Sequence, residues 1–248
     1  LINNIPNFSG NYSFKTMISP KIGVVYKNSL STVLYGSISH GFSPPTLEET
    51  LLPDGLINST IEPESGWNYE IGSRGQLFKN TVYFDIAIYR MDVKNLLVAR
   101  RTNNDEYMGV NAGKTQYNGL EFTLKNTFIK TKNITLFGFP SFGYNYFKFK
   151  KFIDDSNDYS NNLLTGVPKL TYNATIGLES LNGFYTSVNY SFVGEIPLRD
   201  DNSVYSDEYQ IINTQFGYQS NTNNNFQYNF LVGINNLTNS KYASMLLI

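Results

Sequence analysis

A pair of arginines followed by a tyrosine is the set of side chains in this sequence best suited to bind an anion. Arg100 and Arg101 are adjacent, and Tyr107 comes shortly after them. Two guanidinium groups beside an aromatic ring would suit an anionic chelate, because guanidinium makes directed, charge-assisted hydrogen bonds to anionic oxygens. The same arginines would also suit lipid phosphates, or could simply face solvent. We take Arg100, Arg101 and Tyr107 as candidate ligand-binding residues.

An acidic run further along the chain offers a second kind of chemistry. Asp154, Asp155 and Asp158 lie close together and supply the carboxylate oxygens that Ca²⁺ prefers. The run lacks the glycine and the distal glutamate of an EF-hand loop, so a solvated loop is the alternative. These aspartates are weak candidates, and the sequence predicts neither a metal site nor a cofactor.

Several classes of function are excluded by what the sequence lacks. His40 is its only histidine, no G-x-S-x-G motif occurs and nothing else resembles a catalytic set, so we expect no enzyme. Without cysteine there is neither a disulfide framework nor a thiolate metal site. The net charge of −1 provides no polybasic field, so nucleic acid is not an expected partner.

The elements that must position these residues are β-strands, because apolar and polar residues alternate in segment after segment. Such a segment of about ten residues has one apolar and one polar face, which is typical of a transmembrane β-barrel. No run of apolar residues is long enough for a transmembrane helix. The predicted strands are Thr16–Tyr26, Ser31–Gly41, Gly66–Phe78, Thr81–Val98, Asn111–Ile129, Asn133–Phe149, Val167–Ser180, Phe184–Glu195, Glu208–Tyr218 and Phe226–Asn236.

The joints between the predicted strands alternate between short and long. The short joints are Lys27–Leu30, Lys79–Asn80, Lys130–Lys132, Leu181–Gly183 and Gln219–Asn225. The long joints are Phe42–Ser65, Ala99–Val110, Lys150–Gly166 and Ile196–Asp207, and they hold the arginine pair and the acidic run. Outer-membrane barrels have short periplasmic turns and long external loops.

The alternation of apolar and polar residues within the predicted strands changes near Tyr89–Met91. This change predicts either a bulge or a strand end beyond the membrane.

Composition agrees with a membrane barrel and leaves one soluble alternative. Charged residues make up only 16% of the chain and aromatic residues 15%, as expected for a barrel with aromatic girdles. A tyrosine-rich soluble β-sandwich would have a similar composition.

The first residues, Leu1–Pro6, lack the features of a signal peptide, so we expect an internal piece of a longer protein. No linker divides residues 1–248, which we expect to form one domain.

Four stretches in the same order resemble motifs of TonB-dependent outer-membrane receptors. Tyr35–Glu49 is similar to a strand ending in S-x-G-F followed by x-P-x-L-x-E, with His40 where the family often has arginine. Glu62–Gly72 resembles P-E-x-x-x-x-Y-E-x-G, and Asp92–Glu121 resembles D-x-x-x-L-I with a later N-A-G and G-x-E. Val232–Tyr242 is similar to N-L-F-[DN]-x-x-Y.

The resemblance implies an all-β fold, an antiparallel transmembrane β-barrel of which this chain would be roughly the last ten of 22 strands. The N-terminal plug and the final strand would lie outside it. The implied function is outer-membrane reception and active transport of a scarce nutrient, most commonly a ferric siderophore or other iron complex. The implied partners are that ligand, the TonB–ExbB–ExbD complex through the plug, and outer-membrane lipid or lipopolysaccharide. Glu70, Arg74 and Glu121 would line the lumen. A passive porin-like channel and a soluble carbohydrate-binding β-sandwich are the alternatives.

Overall fold

A computed structural model describes residues 13, 15–28, 31–79, 81–101, 106–111, 113–154, 157–220 and 226–243. Ten of its strands form one antiparallel sheet in which each strand pairs with the next one along the chain. These strands are β1 Lys21–Lys27, β2 Thr32–Ser43, β3 Glu64–Leu77, β4 Val82–Lys94, β7 Lys114–Lys130, β8 Ile134–Lys151, β11 Leu170–Ser180, β12 Phe184–Val193, β13 Tyr209–Gln219 and β14 Asn229–Ile234.

All ten predicted strands are present, and two of the boundaries that differ have clear local causes. The first strand begins at Lys21 rather than Thr16, directly after Pro20, which has no N–H to donate to a ladder. The fourth ends at Lys94 because Asn95 adopts a left-handed conformation with φ of 59°. The changed alternation near Tyr89–Met91 is not a bulge, since β4 pairs with β3 and β7 in unbroken register there. The other explanation for the changed alternation, a strand end that lies beyond the membrane, stays a prediction.

Two small hairpins inside the long joints were not predicted. β5 (Leu97–Arg101) pairs with β6 (Tyr107–Asn111), and β9 (Ile153–Asp154) pairs with β10 (Asn157–Asp158). They contain the arginine pair and most of the acidic run. Both candidate groups therefore lie at the long-loop end of the sheet.

The two faces of the sheet differ in chemistry along its whole width. Residues that are directly opposite on neighbouring strands share a face. On one side lie Ile88 and Leu120, which are paired across β4 and β7, together with Ile176 and Val188, paired across β11 and β12. We call this side the apolar face. The other side is the polar face and includes Glu70, Arg74, Glu121, Thr175 and Asn189.

The best-packed part of the structure is at the long-loop end. Phe149, Phe152 and Leu164 are almost fully buried there, and Leu96 and Val98 pack against them. Along the apolar face, by contrast, large side chains such as Ile71 and Ile176 are each 56% exposed. Both edge strands, β1 and β14, are exposed throughout. The described residues include no helix that is long and apolar enough to cross a membrane.

Candidate ligand-binding surface at the long-loop end

The β5–β6 hairpin carries all three candidate anion-binding residues. Arg101 and Tyr107 are directly opposite in its register, and Arg100 is opposite Met108. The backbone therefore brings the second arginine and the tyrosine together, as the candidate site requires. The side chains of Arg101 and Tyr107 lie outside the described part of the structure.

Arg100 already has a carboxylate partner within the protein. Its Nη2 lies 2.6 Å from Oδ1 of Asp154, and the two side chains are 35% and 36% exposed. The contact joins the β5–β6 hairpin to the loop that follows β8. The sequence assigned these two residues to different sites, one for an anion and one for a cation. The structure instead pairs them with each other.

The rest of the acidic run does not converge on a common point. Oδ1 of Asp158 accepts a hydrogen bond from the Ser160 backbone N–H at 2.9 Å, and the Ser160 hydrogen bonds lower the pKa of Asp158. Asp155 lies outside the described residues. Within the described ranges, no three His, Asp or Glu side chains are grouped closely enough to hold a metal ion.

The hairpin is fixed to the loop before β3 by an asparagine that the sequence analysis did not single out for a role. Asn111 accepts a hydrogen bond from the Glu62 backbone N–H at 2.7 Å. Its Nδ2 donates to the carbonyl oxygens of Glu62 at 2.8 Å and Asn95 at 2.9 Å. Asn58 adds a further bond, to the Gly109 carbonyl at 3.2 Å. The N-A-G motif that begins at Asn111 is visible in the sequence. The sequence did not predict that Asn111 would bind Glu62 in the loop before β3.

The loops after β8 and β12 are joined in a similar way. Oδ1 of Asn202 accepts from the Leu163 backbone N–H at 2.7 Å, and its Nδ2 donates to the Leu163 carbonyl at 3.0 Å. The Thr165 hydroxyl donates to Oδ1 of Asp200 at 3.1 Å. Burial raises the pKa of Asp200, and the nearby Asp154 and Asp201 raise it further against that hydrogen bond. With the Arg100–Asp154 contact, these bonds connect the four long loops into one layer.

The polar face below this layer carries the charges predicted for a lumen. Glu70 is opposite Ser37 and Tyr89, and Glu121 is opposite Ala87 and Gly143. The guanidinium carbon of Arg74 lies 5.3 Å from the centre of the Tyr35 ring. These groups therefore share one face, opposite the face that carries Ile88, Leu120 and Ile176.

His40 lies on the apolar face rather than among these polar groups. It is directly opposite Trp67, with ring centres 5.0 Å apart. Its Nδ1 is 2.9 Å from the Ile18 carbonyl oxygen. These two contacts give His40 a structural role in the sheet.

The sheet is a continuous antiparallel meander with one apolar face and one polar face. It has short turns at one end and linked long loops at the other. This is the architecture of the wall of a transmembrane β-barrel. The family described as TonB dependent receptor-like, beta-barrel, matches residues 3–237. The chain therefore belongs to the β-barrel family of TonB-dependent receptors.

Solved structures with the same fold agree with this assignment. The siderophore receptor PiuA from Acinetobacter baumannii superposes with a TM-score of 0.68 at 19% identity, over 89% of this chain and 31% of the receptor. The ferric enterobactin receptor PfeA of Pseudomonas aeruginosa, as a G324V mutant, gives 0.68 at 16% identity over 89% and 34%. The copper transporter OprC gives 0.70 at 17% identity over 90% and 34%. The chain spans about a third of the length of each.

The family and the fold together decide between the classes of protein that the sequence left open. TonB-dependent receptors are outer-membrane transporters of Gram-negative bacteria and not enzymes, as the sequence predicted. The β-sandwich alternative is wrong, because the ten main strands lie side by side in one sheet instead of stacking as two. The identity of the ligand is a separate question, since the solved relatives include receptors for iron complexes and a copper transporter.

Proposed function

We propose that this chain is the loop-bearing wall of an outer-membrane receptor that imports a ferric siderophore or a similar iron complex, energised by the TonB–ExbB–ExbD complex. The observation that carries the proposal is the linked layer of long loops above a charged polar face, in a chain of this family. The loops would face the cell exterior and capture the ligand. The polar face would line the path inward.

Among the described residues, β1 and β14 are the open edges of the sheet, and they indicate how the chain works in the membrane. In lipid, the unpaired N–H and C=O groups of β1 and β14 would cost several kcal/mol each, so a spanning sheet must be closed. We propose that further strands complete the barrel and that a plug inside it contacts the energising complex. The roughly threefold greater length of the solved relatives supports this.

Within the β5–β6 hairpin, the three candidate residues take different roles. Because Asp154 neutralises Arg100, we propose that Arg100 holds the hairpin in place. Arg101 and Tyr107, opposite each other in register, are then the candidate contacts to an anionic chelate. A guanidinium group hydrogen-bonded to a carboxylate or catecholate oxygen contributes about 1.5–3 kcal/mol.

Binding by the full-length receptor in isolated outer membranes tests the ligand class. We expect one of a panel of radiolabelled ferric chelates to bind, and Arg101→Gln to weaken that binding by about tenfold or more. Met108→Ala, on the same hairpin, is the matched control and should have little effect. Binding of copper or cobalamin in place of every ferric chelate would overturn the iron assignment while leaving the receptor assignment intact.

A further inference from the structure

We propose that the nutrient crosses the barrel along the polar face of β11, β12 and β13, while the plug is held on the polar face of β3, β4 and β7. The polar face of β11, β12 and β13 is nearly free of charge, and we call it the neutral sector. The polar face of β3, β4 and β7 carries charges of both signs, and we call it the charged sector. The proposal rests on the proposed function, because it takes the chain as one wall of a closed barrel around a plug.

The two sectors differ in the charge of the side chains that share the polar face. The charged sector contains Glu70, Arg74, Asp85, Glu121 and Lys125. All residues of β11, β12 and β13 lie within the described part of the chain, and the neutral sector that they form has one charged side chain. This is Glu179, the next-to-last residue of β11, at the short-turn end. The wall therefore changes in character at β8, which lies between the two sectors.

The charges of the charged sector are not paired with one another in the wall. Arg74 is directly opposite Asp85, yet among the described residues none of the five side chains forms an ion pair within 4.0 Å. Arg74 lies over the Tyr35 ring instead, and Nζ of Lys125 is 5.8 Å from the centre of the Tyr83 ring. These groups can therefore pair with opposite charges on the plug. Because separating ion pairs that are shielded from water leaves unpaired buried charges, the plug would be held firmly on this side.

The polar groups of the neutral sector bond to one another instead. Nδ2 of Asn189 donates a hydrogen bond to Oγ1 of Thr175 at 2.9 Å. The Ser191 hydroxyl donates to Oδ1 of Asn173 at 2.6 Å. Both bonds join β11 to β12 and involve no charge by which the plug could be held. The same face continues with the uncharged groups of Ser187, Asn213 and Gln215.

This difference in charge favours the neutral sector as the route of the ligand. A ligand passes through a pore only if it binds each site weakly enough to leave again. Hydrogen bonds to charged groups are roughly twice as strong as those between neutral groups. An anionic chelate would therefore be retained by Arg74 or Lys125 and repelled by the carboxylates of the charged sector. The hydroxyl and amide groups of the neutral sector offer weaker bonds, which a passing ligand and water can exchange.

Cysteine labelling of the full-length receptor in isolated outer membranes tests where the plug leaves the wall open. Four single variants replace small hydroxyl residues of the polar face, all of which are half-buried in the sheet itself. They are Thr175→Cys and Ser191→Cys on the neutral sector, and Ser37→Cys and Thr123→Cys, which are directly opposite Glu70 and Asp85 of the charged sector. The probe is a neutral methanethiosulfonate reagent, and labelling of the parent is subtracted. We expect the two neutral-sector variants to react at least about tenfold faster, because thiol exchange depends on access to the sulfur.

Uptake by the labelled receptor tests whether the ligand follows the neutral sector. We expect a bulky disulfide-linked adduct on Ser191→Cys to lower energy-dependent uptake of the chelate by at least about tenfold, because it narrows the route. Binding of the chelate to the loops should be unchanged by the adduct, and reduction of the disulfide should restore uptake. The parent receptor, treated with the same reagent, is the control and should keep its uptake.

Equal labelling of the two pairs of variants, or faster labelling of Ser37→Cys and Thr123→Cys, would overturn the proposal. Uptake that continues with the adduct in place on Ser191→Cys would also overturn it. The labelling comparison uses no nutrient, so it can fail while the receptor binds and imports a ferric chelate. A parent that imports no ferric chelate would contradict the proposed function instead, and the labelling comparison would then decide this proposal by itself.

Discussion

On the polar face, the ring of Tyr89 lies directly over Gly119, its cross-strand neighbour. A Cβ atom added at Gly119 would overlap the tyrosine ring. The hydroxyl of Tyr89 reaches across to Oδ1 of Asn145 on the next strand, at 3.5 Å. One tyrosine of β4 therefore contacts two further strands, β7 and β8, and the missing side chain at Gly119 makes this possible.

The same arrangement recurs between three other pairs of directly opposed residues on the polar face. Tyr35 covers Gly72, Phe137 covers Gly177, and Tyr185 covers Gly217. Covering a strand glycine with an aromatic ring restores the packing that the glycine lacks and fixes the register. These pairs fix the register at four interfaces, β2–β3, β4–β7, β8–β11 and β12–β13, in a sheet that has little buried core of its own.

We therefore expect Gly119→Ala to lower the free energy of unfolding by about 1–3 kcal/mol, because the Tyr89 ring must move from its rotamer. Urea titration of the full-length receptor in micelles measures this. Gly41→Ala is the matched control, since a Cβ there has nothing within 4 Å. Adding Tyr89→Ala to Gly119→Ala should give less than the sum of the two losses. Full additivity would show that the pair does not interact.

Removing the Arg100–Asp154 ion pair should release the β5–β6 hairpin. We expect Arg100→Gln and Asp154→Asn each to cost about 0.5–1.5 kcal/mol of local stability, since the pair is about a third exposed and partly screened. Amide hydrogen exchange in Leu97–Arg101 reports this opening. The swapped variant R100D/D154R should recover part of the protection. If either single variant leaves exchange unchanged, the pair does not anchor the hairpin.

Asn111 should matter more than the ion pair, because its side chain satisfies backbone groups from two segments. Asn111→Ala leaves the Glu62 N–H and two carbonyl groups without this partner, at a cost of about 1–3 kcal/mol. Proteolysis of the loop before β3 should become faster. Asn111→Asp keeps the acceptor for the Glu62 N–H but loses both donated bonds, so we expect an intermediate rate. If Asn111→Asp is cleaved as fast as Asn111→Ala, the hydrogen bond that Asn111 accepts does not contribute separately from the two that it donates, and the prediction is wrong.

Contact between the loops after β8 and β12 should weaken as pH rises. The pKa of Asp200 is raised above its ordinary value of 3.8, so the folded loops hold its proton more tightly than the unfolded chain. Stability contributed by this group is therefore lost from about pH 3.8 upward, through the raised pKa. Asp201 has a lowered pKa because of hydrogen bonds from Ser203, and it acts in the opposite direction.

Exchange of the Leu163 amide, corrected for its intrinsic pH dependence, measures this effect. In the parent, we expect the protection of this amide from exchange to decline as the pH rises from about 3.8 through the raised pKa of Asp200. In Asp200→Asn, protection should stay constant or rise over the same pH range. The Asn side chain can still accept the Thr165 hydrogen bond while carrying no charge. The same decline in Asp200→Asn would assign the pH dependence to another group.

The sequence predicted the sheet well because strand alternation is a local signal. Every predicted strand is present, and the polar positions Glu70, Arg74 and Glu121 share the predicted face. The β5–β6 hairpin was missed because Arg100–Tyr107 shows no alternation and its strands are short. The Arg100–Asp154 contact depends on how two separate loops fold over the sheet, which residue types alone do not specify. The roles of Arg101 and Tyr107 stay predictions.

Energy-dependent uptake tests the central claim most directly. Cells producing the full-length receptor as their sole route for a given radiolabelled ferric chelate would be compared with cells that also lack the energising complex. We expect accumulation in the first strain, abolished by a protonophore, and binding without accumulation in the second. Uptake that continues in the second strain, or survives the protonophore, would show a passive channel and contradict the account.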